Sequence, residues 1–238
     1  MGTAFTGQVA IVAGGTGGLG RAVSLALVDA GARLTVTYRQ QEEFDFLRHD
    51  APADAVIEGH PVDVTDEKQV GEFIAGCVAR HGRIDILVNT VGGYKGGTNL
   101  WATDLKILEQ MIALNLRSGF VLSRAVVPVM LKQGSGAIVN IAAKAALHPA
   151  AKGAAYAASK AAAVAMMDSL AQELKGTGVR VNTILPSIID TEANRKSMPS
   201  ADFSKWPKPE EIAQVITYLC SGESKLIHGA AIPVYGQL

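Results

Sequence analysis

Two side chains in this sequence are spaced to move a proton. Tyr156 and Lys160 stand four residues apart inside Ala154–Leu174, an Ala-rich stretch that predicts one long helix. On a helix they share a face, about one turn from each other. An ammonium beside a phenol favours the phenolate and lowers a pKa that is ordinarily ~10. A phenol tuned toward neutral pH can give or take a proton during a redox step. Tyr-x-x-x-Lys alone describes many surface pairs, so the elements that position this one decide its meaning.

A second chemical signal lies near the start. Gln8–Ala13 is a short apolar run that predicts a buried strand, and Gly14-Gly-Thr-Gly-Gly-Leu-Gly20 follows it. Arg21–Ala30 has helical spacing of Val23, Leu25, Leu27 and Val28, and Gly31 is a stop signal. Strand, glycine turn and helix together form a phosphate cradle: glycines let the backbone approach a pyrophosphate, and the helix N-terminus offers free N–H groups. Arg33–Tyr38 is a second strand. Dinucleotide sites for NAD commonly carry an acidic residue at this strand's end, whereas this chain has Tyr38 and then Arg39. No carboxylate is expected there to repel a 2′-phosphate, and a guanidinium can bind one. NADP(H) is therefore the favoured cofactor, with NAD(H) as the alternative.

Ala55–Glu58 and Pro61–Val64 bracket a third strand and its exit. Asp63, at that exit, suits an adenine amino group or a turn. Thr65 or Asp66 can cap the next helix, which runs to about Arg80. Ile84–Asn89 is a fourth strand, ending in Asn89-Thr-Val-Gly-Gly93. Trp101–Lys132 reads as two successive helices, with Asn115 in an apolar stretch where a polar side chain needs partners. Gly136–Ile141 and Val179–Leu185 are further strands. A long polar segment then runs through Trp206, and connections that long are often lids. Pro209–Leu219 is a helix and Ala231–Val234 a last strand. Such alternation predicts an α/β fold: one Rossmann domain with a doubly wound parallel sheet of about seven strands and helices on both faces. Ligands in such sheets bind at the carboxyl ends of the strands, where the glycine turn, Asn89, the stretch after Ile141 and Pro186 all fall.

The 238 residues are enough for one such domain with a sizeable core. Lys+Arg, at 22, equals Asp+Glu, which argues against nucleic acid or an anionic membrane as partner. No uninterrupted apolar run reaches the ~18 residues of a membrane span, and the N-terminus lacks a signal-peptide pattern. Met1–Thr6 fits only a loose myristoylation pattern, one that short Gly/Thr starts often match. A cytoplasmic protein is expected. Cys77 and Cys220 sit in apolar helical contexts as buried thiols, and the five histidines form no metal-ligand spacing, so no metal is expected.

Over its whole length the chain resembles the short-chain dehydrogenase/reductase family. Gly14-x-x-x-Gly18-x-Gly20 is similar to its cofactor turn, Asp63-Val64 to its adenine contact and Asn89-Thr-Val-Gly92 to its Asn-Asn-Ala-Gly element. Asn115, Tyr156 and Lys160 match three members of its catalytic tetrad, and Pro186, Ile189 and Thr191 match its nicotinamide contacts. The resemblance implies an NAD(P)-dependent oxidoreductase with Tyr156 as proton donor. Lys160 would lower the pKa of Tyr156 and bind the nicotinamide ribose, and Asn115 would hold a water. It also implies Thr16, Leu19, Tyr38, Arg39, Val91 and Ile141 as cofactor contacts. Dinucleotide binding would lie mainly in 8–95, and the catalytic and substrate part in 100–238 with a lid-like segment at 187–207. The family's usual dimer or tetramer is expected too.

One family feature is missing. The serine that hydrogen-bonds a substrate carbonyl lies thirteen residues before the tyrosine, and that position is Ala143. Val91–Gly97, Ala143–Leu147 and Asn194–Trp206 resemble segments of the quinonoid dihydropteridine reductase branch, which also carries alanine there. That likeness implies a pre-activated ring as substrate, held near Ala143, Gly93, Tyr94 and Trp206. The alternatives are a 3-oxoacyl thioester as substrate, or a cofactor-binding protein without catalysis.

Overall fold

The computed structural model describes residues 4–237; Gly2, the acceptor in the myristoylation pattern, lies outside them. Seven strands form one sheet: β1 (Val9–Ala13), β2 (Arg33–Thr37), β3 (Ile57–His60), β4 (Ile86–Asn89), β5 (Gly136–Ile141), β6 (Val179–Pro186) and β7 (Ala231–Val234). Their order is β3-β2-β1-β4-β5-β6-β7, and every pairing is parallel. The helices are α1 (Gly18–Asp29), α2 (Gln41–Asp50), α3 (Glu67–His81), α4 (Leu105–Ile112), α5 (Ser118–Gln133), α6 (Ala154–Glu173), α7 (Glu192–Ser197) and α8 (Pro209–Cys220). This is the doubly wound fold expected from the alternating pattern.

The sheet is covered on both faces, so β1 is buried at every residue. Its side chains alternate between two cores. Ala10 and Val12 join Val23 and Leu27 of α1 and Ile212 and Ile216 of α8. Ile11 and Ala13 join Phe73 of α3, Val126 of α5 and Met167 of α6 on the other face. Register then gathers the functional ends. Ala13 pairs with Asn89, Asn89 with Asn140, Ile141 with Ile184, and Pro186 with Val234. The strand order reverses at β1 and β4, which opens a crevice between the loops that follow them.

The two successive helices expected over Trp101–Lys132 are present as α4 and α5, but they start later than expected and run on from one another. Trp101 lies in a short 3₁₀ turn, and α4 and α5 form one helix, Leu105–Gln133, continuous through a π-helical turn at Ala113–Arg117. With a mean hydropathy of 1.3 over an 18-residue window, it has the length and composition of a membrane span. In the fold, its Val121, Leu122, Val126 and Met130 pack into the core, while Leu105 and Phe120 are exposed. Helix α2 gave no sequence signal because it buries only Leu47. It is held at the sheet edge by Tyr38 stacked on Phe44, ring centroids 5.2 Å apart, and by an Asp50–Arg21 ion pair. At the next helix the cap is Asp66, which accepts from the N–H groups of Lys68 and Gln69.

The glycine turn depends on the packing of α1 against β1. A Cβ on Gly20 would stand 2.0 Å from the Gly14 carbonyl oxygen, a backbone atom with no room to move. Overpacking of this kind costs roughly 1–3 kcal/mol. Gly20→Ala is expected to lower the thermal midpoint by about 3–10 °C, since ~1 kcal/mol shifts a chain of this size by a few degrees. A calorimetric scan that matches the parent would refute this packing constraint.

Candidate active site

The crevice begins at the bare turn after β1. Gly14 adopts a left-handed φ of +70°, and a Cβ there would press on Val91 at 3.0 Å. The turn is tied to β2: the Gly14 N–H donates to Thr37 Oγ1 at 2.9 Å and the Gly15 N–H to the Thr37 carbonyl at 3.2 Å. Gly17 caps α1 without a side-chain acceptor, so no side chain covers the first N–H groups of the helix. A Cβ on Gly18 would meet Thr191 Cγ2 at 2.8 Å, which brings the Pro186–Thr191 segment against the turn. These observations fit a dinucleotide pyrophosphate: open backbone donors, a favourable helix dipole and no side chain in the way. The adjoining cleft has a volume of about 350 Å³ and runs from Thr16 and Arg39 past Asp63 to Val91 and Gly92.

At the far end of the cleft, Tyr38 is stacked on Phe44 and its hydroxyl donates to Gln41 Oε1 at 2.5 Å. Arg39 is exposed. Asp63 Oδ1 accepts from the Thr65 N–H and hydroxyl, closing a turn. Val64 and Leu19 point into the cores. A carboxylate not expected from the order of residues also lines this cleft. Thr16 Oγ1 donates to Glu43 Oε2 at 2.9 Å, and both residues line the cleft. The strand end carries no acid, but the first turn of α2 supplies one across space.

At the near end, Gly92 is the meeting point. A Cβ there would lie 2.9 Å from Asn115 Oδ1 and 3.0 Å from Lys160 Nζ. Lys160 is buried, and its Nζ donates to the Ile141 carbonyl at 2.8 Å. Asn115 Oδ1 accepts from the Gly93 N–H at 2.9 Å; its Nδ2 donates to the Gly93 carbonyl at 3.0 Å and to Ser159 Oγ at 2.9 Å. Ser159 in turn donates to the Tyr156 carbonyl at 2.7 Å. The Asn115 amide is thus engaged by protein, and its π-helical turn gives the helix the room to place it. Ser159 is a member of this set that spacing did not single out; its position three residues after Tyr156 was the available signal. Asn89 is also turned inward: its Nδ2 donates to Asn140 Oδ1 at 2.9 Å and its Oδ1 accepts from the Val91 N–H at 3.2 Å. It shapes the loop beside the cleft from below.

The tyrosine–lysine electrostatics read from spacing also need correction. Tyr156 is pushed up to about 12, first by burial and then by Tyr94, whose ring stands edge-on at 4.9 Å. Lys160 is lowered to about 8 by burial. The i,i+4 spacing puts both residues on one face, but the Lys160 ammonium turns to the Ile141 carbonyl and is not what sets the phenol's pKa here. Ala143 lies buried at the end of the stretch after β5, and Tyr94 is exposed above Tyr156. Trp206, expected near substrate, is buried and packs on Phe203 with ring centroids 4.9 Å apart. It anchors the 187–207 segment, which contains α7, capped by Thr191, and an Asp190–Arg195 pair.

Over most of its length the chain is similar to known proteins. A family model described as short chain dehydrogenase covers residues 8–202. The chain is 31% identical to a 3-oxoacyl-[acyl-carrier-protein] reductase of Thermotoga maritima, over 98% of each chain. It is 34% identical to a D-threitol dehydrogenase of Mycolicibacterium smegmatis, over 97% of this chain and 92% of the other. Among solved structures, ElxO with NADP bound superposes with a TM-score of 0.90 at 26% identity, over 96% of this chain and 97% of that one.

The burial of Lys160 has a measurable signature. Its folded pKa of about 8 lies below the ~10.4 of an unfolded lysine, so between those values the unfolded chain binds more protons and stability rises with pH. Tyr156 acts in the opposite sense at higher pH: its contribution is full below ~10 and is lost as pH rises through about 12. Urea midpoints are expected to climb from roughly pH 8 to 10, with a smaller climb in Lys160→Met. Equal slopes in the two proteins would show that Lys160 does not contribute this linkage.

Proposed function

The chain belongs to the short-chain dehydrogenase family and is a pyridine-nucleotide-dependent oxidoreductase; from that premise we propose that it reduces a conjugated, pre-activated ring of the quinonoid dihydropteridine type. A reduced nicotinamide, when bound, would supply the hydride. Tyr156 would donate the proton, and Lys160, held by the Ile141 carbonyl, would bind the nicotinamide ribose. Asn115 and Ser159 hold the helix and loop that carry these groups, and Asn89 to Gly92 with Pro186, Ile189 and Thr191 enclose the nicotinamide. Thr16, Tyr38, Arg39, Asp63 and Val64 serve the adenosine end, with Arg39 as the support for NADP(H).

The observation that carries the substrate reading is Ala143. A carbonyl that becomes an oxyanion gains from a donor, and removal of one such donor costs ~3 kcal/mol in a transition state. Alanine offers none. A ring that delocalises the incoming electron pair needs a proton from Tyr156 more than a clamp on one oxygen. The second reading, reduction of a 3-oxoacyl thioester, is favoured by the name of the Thermotoga relative.

A homodimer or homotetramer is part of this proposal, supported by Leu105, Leu108 and Phe120 exposed along the α4–α5 helix. Sedimentation at the mass of a single chain would remove it. Cytoplasmic residence is supported by the unpaired, buried thiols of Cys77 and Cys220.

Tyr156→Phe is expected to cut turnover by about 10²–10⁴-fold, the usual contribution of a positioned acid, with little change in dinucleotide affinity. Near-normal turnover would remove Tyr156 as the acid. Quinonoid dihydropterin and acetoacetyl thioester, assayed side by side, separate the two substrate readings. Ala143→Ser is expected to raise thioester reduction by about tenfold or more. Efficient thioester turnover in the parent, unimproved by serine, would overturn the ring reading.

A further inference from the structure

We infer that Glu43 determines how this protein discriminates between the 2′-phosphate and the free 2′-hydroxyl of its dinucleotide; the inference rests on the pyridine-nucleotide reading above. Four observations lead to it. Glu43 occupies the third position of α2, where a glutamate commonly reaches back to its own helix N-terminus. Glu211 does so at the start of α8, accepting from the Lys208 N–H at 2.8 Å. Glu43 instead reaches across to Thr16, in the glycine turn, at 2.9 Å. The two residues are 27 apart in sequence, so this is a tertiary contact and not helix capping.

The end of β2 has no acid of its own to offer. Thr37 Oγ1 accepts from the Gly14 N–H, and Tyr38 is held by Phe44 and Gln41. Glu43 therefore brings the negative charge to the place where strand-borne acids meet a ribose in related folds. Its carboxylate lines the same cleft as Arg39. Among the described residues Arg39 forms no ion pair, so Glu43 does not neutralise it.

The lip of the cleft thus holds two opposed instructions. Arg39 attracts a 2′-phosphate. Glu43 repels that dianion, and can accept a hydrogen bond from a free ribose hydroxyl in place of the one from Thr16. Specificity often arises from such a repulsive element as much as from the attractive one. The Thr16 bond holds the carboxylate in the cleft, where repulsion is strongest and screening weakest.

Titration calorimetry with NADPH, NADH, 2′,5′-ADP and 5′-AMP tests this without any substrate. Glu43→Gln keeps the side-chain shape and an oxygen for Thr16 but removes the charge. The variant is expected to bind NADPH and 2′,5′-ADP about tenfold more tightly, with NADH and 5′-AMP unchanged or weakened. Adding Arg39→Ala is expected to abolish most of that gain, because both residues act on the same phosphate. An equal effect on phosphorylated and unphosphorylated ligands, or no effect on either, overturns the inference while leaving the enzyme class intact. A parent protein that binds neither dinucleotide overturns the cofactor reading itself, and this inference with it. A thermal scan of Glu43→Gln that matches the parent excludes a folding defect as the cause of weaker binding.

Discussion

A buried ammonium must have a partner, and the candidate site is arranged around that requirement. Lys160 sits in the interior with its Nζ on the Ile141 carbonyl. Burial costs the charged form enough to lower its pKa to about 8. The bond ties α6 to the carboxyl end of β5, and so places Tyr156 over the loop that follows β4. Asn115 and Ser159 continue the brace, from the Gly93 backbone to the Tyr156 carbonyl. A buried polar chain of this kind is stable only when each member is satisfied, and here each supports a piece of backbone that carries a functional group.

The opposite half of the crevice is organised by exclusion. Gly14, Gly18 and Gly20 leave no space for a side chain against Val91, Thr191 and the Gly14 carbonyl. What remains is backbone N–H groups at an uncapped helix start. One half of the site is therefore rigid because polar groups saturate one another, and the other because backbone packs on backbone. The Pro186–Thr191 segment touches the glycine turn through Thr191, and also caps α7 through the same residue. The 187–207 segment is thus docked at its first turn and anchored at its far end by Trp206.

Much of this was legible from residue types in order. β1 and the glycine turn declare themselves by composition, and Tyr156, Lys160 and Asn115 by spacing and by the cost of burying polar groups. Helix α2 was silent because Phe44 and Leu47 alone carry its apolar packing, too few to show a period. Ser159 offered only its spacing from Tyr156, which a serine in an Ala-rich helix does not by itself turn into a role. The π-helical turn that joins α4 to α5 was not legible, because it preserves helical direction while shifting the phase on which periodicity depends.

By itself the sequence determined the parallel α/β architecture, the position of the glycine turn after β1, the Tyr156–Lys160 spacing on one helix face and the absence of a hydroxyl at residue 143. These follow from local periodicity, from glycine's missing Cβ and from side-chain identity. The tertiary structure alone decided which charges meet. It turned Lys160 to a carbonyl instead of to the phenol, set Tyr94 against Tyr156, and carried Glu43 across to Thr16. Electrostatic energies depend on distance and burial, and chain order specifies neither until the sheet register and helix packing have brought remote residues together.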